Sequence, residues 1–195
     1  GDNVFGLTDP NYTPLAVDTL NGGAGNDQIW AGYGDNVDGG SGTDELAYFA
    51  ALASGSVVLD GVLLQAGGSA VVGGGTIKGI ERFTEIHTGA FNDVIQLGAQ
   101  TGTAIIDTGD GDDIILTGNS NAQITAGSGN DTIYVGTGTV TIVGGLGLDT
   151  VDFSPRAAGI TMVLGVSGPG PPGRPTTWNQ ALELARRYSQ LWERS

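Results

Sequence analysis

Short apolar segments recur along this chain, each set off from the next by glycine and aspartate. Ile115, Ile133 and Val151 stand at eighteen-residue intervals, and Ile124 and Ile142 fall midway between them. Each is the centre of a three-residue apolar or β-branched run, too short for a helix turn pattern and bounded by turn residues. The pattern predicts short strands whose middle residue points inward, with Ile115, Ile133 and Val151 on one wall and Ile124 and Ile142 on the other. One such strand buries almost nothing alone, so the coils must stack to share a core.

Self-similarity makes the period explicit. Thr108-Gly-Asp-Gly-Asp-Asp-Ile-Ile-Leu116, Ala126-Gly-Ser-Gly-Asn-Asp-Thr-Ile-Tyr134 and Gly144-Gly-Leu-Gly-Leu-Asp-Thr-Val-Asp152 align without gaps, eighteen residues apart. Gly22-Gly-Ala-Gly-Asn-Asp-Gln-Ile-Trp30 and Gly39-Gly-Ser-Gly-Thr-Asp-Glu-Leu-Ala47 repeat the same nine positions. Weaker units at 117–125 and 135–143 keep the apolar eighth position but carry Ala122 and Val140 where aspartate would stand. One turn is therefore read as eighteen residues in two half-turns, each a glycine-rich loop feeding a three-residue strand. Glycines allow successive loops to approach closely.

Composition sharpens this. Of the 21 acids, sixteen are aspartate, the acid of turns and hard-cation sites rather than of helices. Residues 1–167 carry nineteen acids against Lys78, Arg82 and Arg156, a charge of −16. Such a body repels nucleic acid and anionic membrane, and its natural partners are divalent cations. The absence of cysteine removes disulfides, thiolate zinc sites and a cysteine nucleophile. No apolar run reaches the length of a membrane span. The opening Gly1-Asp-Asn-Val-Phe5 reads as the end of a repeat, and the chain is expected to be cut from a longer protein.

The pattern G-G-x-G-x-D-x-U-x resembles the RTX (repeats-in-toxin), hemolysin-type calcium-binding nonapeptide repeat, over roughly residues 17–165. The resemblance implies an all-β fold, a right-handed parallel β-roll (β-solenoid), with Ca²⁺ as the cofactor. Ca²⁺ takes about 6–8 oxygens at ~2.3–2.6 Å; loop carbonyls and the terminal aspartate would supply them from two loops one coil apart. The implied ligands are Asp113, Asp131 and Asp149 with Gly109, Gly111, Gly127, Gly129, Gly145 and Gly147. Asp27 and Asp44 follow, with Gly23, Gly25, Gly40 and Gly42; then Asp93 with Asp113, and last Asp18 with Asp35 or Asn36. One edge of the C-terminal array would carry ions and the opposite edge none. Asn26, Asn92, Asp112 and Asn130, at the fifth loop position, are read as turn formers rather than ligands.

The chain divides into repeats at 1–47, a β-rich insert of the same solenoid at 48–87, and a second array at 88–166. The insert resembles the segment with a Gly-Ile-Glu element (here Gly79-Ile80-Glu81) that interrupts many such arrays. A Pro/Gly linker at 167–175 leads to a short amphipathic C-terminal helix at 176–195, read as a cap, a fusion or a foreign segment.

The expected function is a calcium-binding module, not an enzyme, that folds on calcium and stiffens a secreted bacterial adhesin, toxin, surface-layer protein or exoenzyme. The resemblance implies export by type I secretion, and a cell-surface or glycan partner would come through the parent protein. Two alternatives stay open: a β-helical polysaccharide-active enzyme with structural calcium, and a metal-free repeat scaffold. Asp112/Asp113 and Asp149/Asp152 are the carboxylate pairs the first would use. His87, the single histidine, is read as exposed or locally bonded.

Overall fold

The computed structural model describes residues 17–154, together with the backbone strand Val4–Phe5. The linker and helix expected at 167–195 lie outside the described residues. The described chain winds as a parallel β-solenoid. Val4–Phe5 (β1) is followed by Thr19–Asn21 (β2), Gln28–Gly32 (β3), Asn36–Asp38 (β4) and Glu45–Phe49 (β5). After Val58–Asp60 (β6) comes one helical turn, Gly61–Gln65 (α1), then the hairpin Ser69–Val72 (β7) and Gly75–Lys78 (β8). Arg82–His87 (β9), Val94–Gln96 (β10), Thr103–Asp107 (β11), Ile114–Leu116 (β12), Asn121–Ser128 (β13), Thr132–Tyr134 (β14), Val140–Leu146 (β15) and Thr150–Asp152 (β16) complete the coils.

A long sheet, β1-β3-β5-β9-β11-β13-β15, runs through every coil. Facing it are two shorter sheets: β2-β4-β8-β7 over the N-terminal coils and β16-β14-β12-β10-β6 over the C-terminal ones. All pairings except the β7–β8 hairpin are parallel. The three-residue strand length predicted for every half-turn holds for β10, β12, β14 and β16. Strands β3, β5, β9, β11, β13 and β15 of the long sheet are longer, five to eight residues; in β13 and β15 the loops themselves continue the ladder, Gly127 pairing with Gly145 and Ser128 with Leu146.

The core is a set of columns. Leu59, Ile95, Ile115, Ile133 and Val151 are register partners down the C-terminal sheet, the first four fully buried. Ala31, Tyr48, Ile86, Ile106, Ile124 and Ile142 form the facing column of the long sheet. Each fully buried isoleucine contributes on the order of 1.5–3 kcal/mol of transfer free energy, so stacking, not any single coil, holds the fold.

The insert changes which edge carries the motif loops. In the first coils the loops 22–27 and 39–44 lead from the N-terminal sheet into β3 and β5. From residue 88 onward the loops 88–93, 108–113, 126–131 and 144–149 lead out of the long sheet into β10, β12, β14 and β16. Because the strands of the long sheet are parallel, these two sets lie on opposite edges. The coil between them visits both facing sheets: β6 pairs with β10, and the β7–β8 hairpin pairs with β4. Asp60 caps α1 by accepting the Leu63 N–H at 3.0 Å, a turn of helix in a segment whose apolar run reads as strand. Gln65, at the end of α1, donates to the carbonyls of Glu81 (3.1 Å) and Leu97 (3.0 Å) and ties the coil together.

Candidate metal centre

Each motif loop is locally dictated by its glycines. At Gly127 and Gly129 φ is +107° and +138°, and a β carbon at either would run into the carbonyl of Gly109 or Gly111 in the coil before. Only glycine allows both the backbone angle and the approach. The loops then bond to one another through their backbones. Ser128 N–H donates to the Gly109 carbonyl at 2.8 Å, Gly111 N–H to Ser128 at 2.7 Å and Gly129 N–H to Leu146 at 2.8 Å. In the N-terminal set Ser41 N–H donates to Gly23 at 2.8 Å and Gly25 N–H to Ser41 at 3.0 Å. Gly23 and Gly109 each keep a second carbonyl lone pair after these bonds.

The aspartates form a ladder inside these turns. The N–H of Asp93 donates to Asp113 Oδ1 (2.8 Å), that of Asp113 to Asp131 Oδ1 (2.9 Å) and that of Asp131 to Asp149 Oδ1 (3.2 Å). On the opposite edge the Asp27 N–H donates to Asp44 Oδ1 at 2.8 Å. The structure thus brings together Asp93, Asp113, Asp131 and Asp149 on one edge, and Asp27 and Asp44 on the other. It also brings Asp18 to Asp35, but differently: Asp35 accepts the Asp18 N–H on Oδ1 (2.8 Å) and the Gly32 N–H on Oδ2 (2.6 Å). Each of its oxygens thus accepts one main-chain N–H.

The second oxygen of the ladder residues is where the chemistry lies. Asp44, Asp93, Asp113 and Asp131 are buried, and the Oδ2 of each has no hydrogen-bond partner. Burial pushes the Asp113 carboxyl up to about 6, with the charges of Asp93 and Asp131 adding to it, and burial likewise raises Asp44 and Asp131. A buried carboxylate oxygen without a donor is costly unless a cation meets it. The loop glycines also bring oxygens of successive coils close together. A β carbon built on Gly22 would sit 2.5 Å from both Asp27 Oδ2 and the Gly39 carbonyl oxygen of the next coil. Carboxylate and carbonyl oxygens converging there suit a hard cation, which takes oxygen ligands alone. Among the described residues no three acidic or histidine side chains gather around one point, so main-chain carbonyls would have to supply most of the ligands.

The fifth-position residues bond to the neighbouring loop. Asn26 Oδ1 accepts the Thr43 N–H (2.9 Å), Asn92 the Asp112 N–H (3.0 Å), Asp112 the Asn130 N–H (2.7 Å) and Asn130 the Leu148 N–H (3.0 Å). Three structural contributors depart from the nonapeptide pattern. Thr88 and Thr108 stand at a motif-glycine position and donate to the carbonyls of Thr108 (3.0 Å) and Ala126 (2.9 Å). Gln100 clamps Phe83 on the opposite edge through its N–H (2.7 Å) and carbonyl (2.9 Å). His87 stacks on Phe49 with centroids 5.1 Å apart, 3.6 Å from Glu85.

Residues 16–46 and 125–154 match the RTX calcium-binding nonapeptide repeat, in four copies. No curated protein and no solved structure matches the chain. The matched segments hold the loops 22–27, 39–44, 126–131 and 144–149, one pair from each edge. That repeat family binds Ca²⁺.

Proposed function

We propose that this chain, which carries RTX calcium-binding nonapeptide repeats, is the calcium-dependent folding module of a secreted bacterial protein. The ions would sit between successive loops, held by Asp113, Asp131 and Asp149 with the carbonyls of loops 108–113, 126–131 and 144–149. Asp93 and loop 88–93 would extend that edge, and Asp27 and Asp44 would serve the other.

The observation that carries this reading is the row of buried, unpartnered Oδ2 atoms on Asp93, Asp113 and Asp131. A chain that stacks carboxylates one coil apart, away from water, is self-repelling until a divalent ion joins them. Ion binding then is folding energy, as in other small metal-organised domains. In a low-calcium cytoplasm the repeats would remain unfolded and exportable, and calcium outside would close the roll. The module's part would be to stiffen its parent: one oxygen each of Asp112 and Asp113 serves the ladder, and Asp152 Oδ1 accepts the Ser154 N–H at 2.7 Å.

Far-ultraviolet circular dichroism, recorded in chelator and then in excess Ca²⁺, tests it. The expected result is a disordered spectrum that becomes β-rich on calcium addition. An equally β-rich spectrum in both overturns the proposal.

A further inference from the structure

The insert ends in a loop, residues 78–81, that stacks on loop 39–44 although it contains no nonapeptide. Gly39 N–H donates to the Lys78 carbonyl at 3.0 Å, and the N–H groups of Glu81 and Arg82 both reach the Asp44 carbonyl, at 3.2 and 3.1 Å. Glu45 pairs with Arg82 in register, which makes Glu81 the counterpart of Asp44 one coil on. The side chain behaves accordingly. The Asp44 N–H donates to Glu81 Oε2 at 2.8 Å, just as the Asp27 N–H donates to Asp44 Oδ1.

The close approach of carbonyl and carboxylate oxygens repeats as well. The Gly79 carbonyl lies against Gly39 as the Gly39 carbonyl lies against Gly22, and Asp44 Oδ2 is 2.8 Å from where a Gly39 β carbon would stand. Asp44 is 0% exposed, and that oxygen has no hydrogen-bond partner. Between glycine and acid the repeat loop spans Gly39 to Asp44, whereas the insert loop spans only Gly79 to Glu81. The extra methylene of glutamate makes up for the shorter loop, and the Gln65 bond to the Glu81 carbonyl fixes its root. No Lys or Arg among the described residues neutralises the pair. Lys78 and Arg82 are the only Lys or Arg among the described residues, and they pair with Asp38 (2.8 Å) and Glu45 (2.6 Å).

We propose that Glu81 closes a further divalent-cation site with Asp44 and the Gly79 carbonyl, so that the insert supplies the last ion of the N-terminal edge. The site rests on the reading that the repeat loops hold calcium, and it lies partly outside the matched segments, which resume only at residue 125. It gives the insert a role as the terminal coil of one ion row.

The test is calcium stoichiometry of the full chain by equilibrium dialysis and titration calorimetry, wild type against Glu81→Gln. The amide oxygen of glutamine keeps an acceptor for the Asp44 N–H while removing the charge. The site predicts one ion fewer per chain, with the remaining affinities unchanged. Equal stoichiometry and affinity in E81Q would overturn this site alone, whereas a wild type that binds no calcium would overturn the repeat reading and the site with it. Should E81Q fail to fold at any calcium concentration, Glu81→Asp decides. It keeps the charge on a shorter arm, so one ion should weaken selectively, and wild-type binding in E81D would contradict the proposal.

Discussion

The main-chain N–H of Asp113 donates to Asp131 Oδ1 at 2.9 Å across one full coil, while Asp131 Oδ2 faces the loop interior with no partner. One carboxylate therefore does two jobs. Its first oxygen fixes the spacing of the coils, and its second offers a buried charge suited to a cation.

Asp131 stands between Asp113 and Asp149 in this ladder, so it borders two of the proposed ions. Replacing it with alanine should lower the calcium response more than Asp27→Ala does, with a loss of about tenfold or more in the folding midpoint, from a charge-assisted bond of roughly 1.5–3 kcal/mol. Calcium titrations followed by circular dichroism and calorimetry compare them. Equal effects would contradict a shared ligand.

Asp113 gives the pH dependence its sign. Burial holds its carboxyl in the folded, metal-free chain at about 6, above the ordinary aspartate value of 3.8. A raised carboxyl contributes stability that is present below the unfolded value and lost as pH rises through the folded one. Metal-free protein should therefore become less stable between about pH 4 and pH 6, by at most about 3 kcal/mol from this residue before solvent screening reduces it. Chelator-treated protein should hold more structure near pH 4 than at pH 7. Asp113→Asn should flatten that profile, and an unchanged profile would contradict the cause assigned.

Ile133 is fully buried between Ile115 and Val151 in one column. Ile133→Ala should cost about 2–5 kcal/mol and raise the calcium concentration needed for folding, without changing the number of ions bound. A change in stoichiometry would show that core and ion sites are not separable here.

Gly127→Ala should hinder folding far more than its single methyl suggests. The new β carbon would meet the Gly109 carbonyl at a backbone angle of +107°. Gly67→Ala shares a positive φ, +80°, but has open space around it, so it should show only the backbone strain of roughly 1–2 kcal/mol. Thermal melts in saturating calcium separate the two costs.

The repeat itself was legible from residues alone, because the isoleucine columns and the aspartate spacing both follow from an eighteen-residue coil. Asn26, Asn92, Asp112 and Asn130, read as turn formers, each accept a main-chain N–H from the next coil, a role their spacing alone did not show. What the pattern did not carry was the change of edge. The loops 39–44 and 126–131 look alike in sequence, yet one enters the long sheet and the other leaves it. That difference is made by the insert, whose α1 turn and β7–β8 hairpin have no period to read. Glu81 was hidden for the same reason: its equivalence to Asp44 is a matter of register across a loop of different length. Asp35 differs from the ladder aspartates in accepting a main-chain N–H on each of its two oxygens.

The most direct measurement is a crystal structure grown in calcium, with anomalous data to locate the ions. The account predicts ions between loops 108–113, 126–131 and 144–149, with aspartate Oδ2 and glycine carbonyl oxygens at ~2.3–2.6 Å, and a second row on the opposite edge beside Asp44. Well-ordered loops with no ion between them, in calcium-rich crystals, would contradict it.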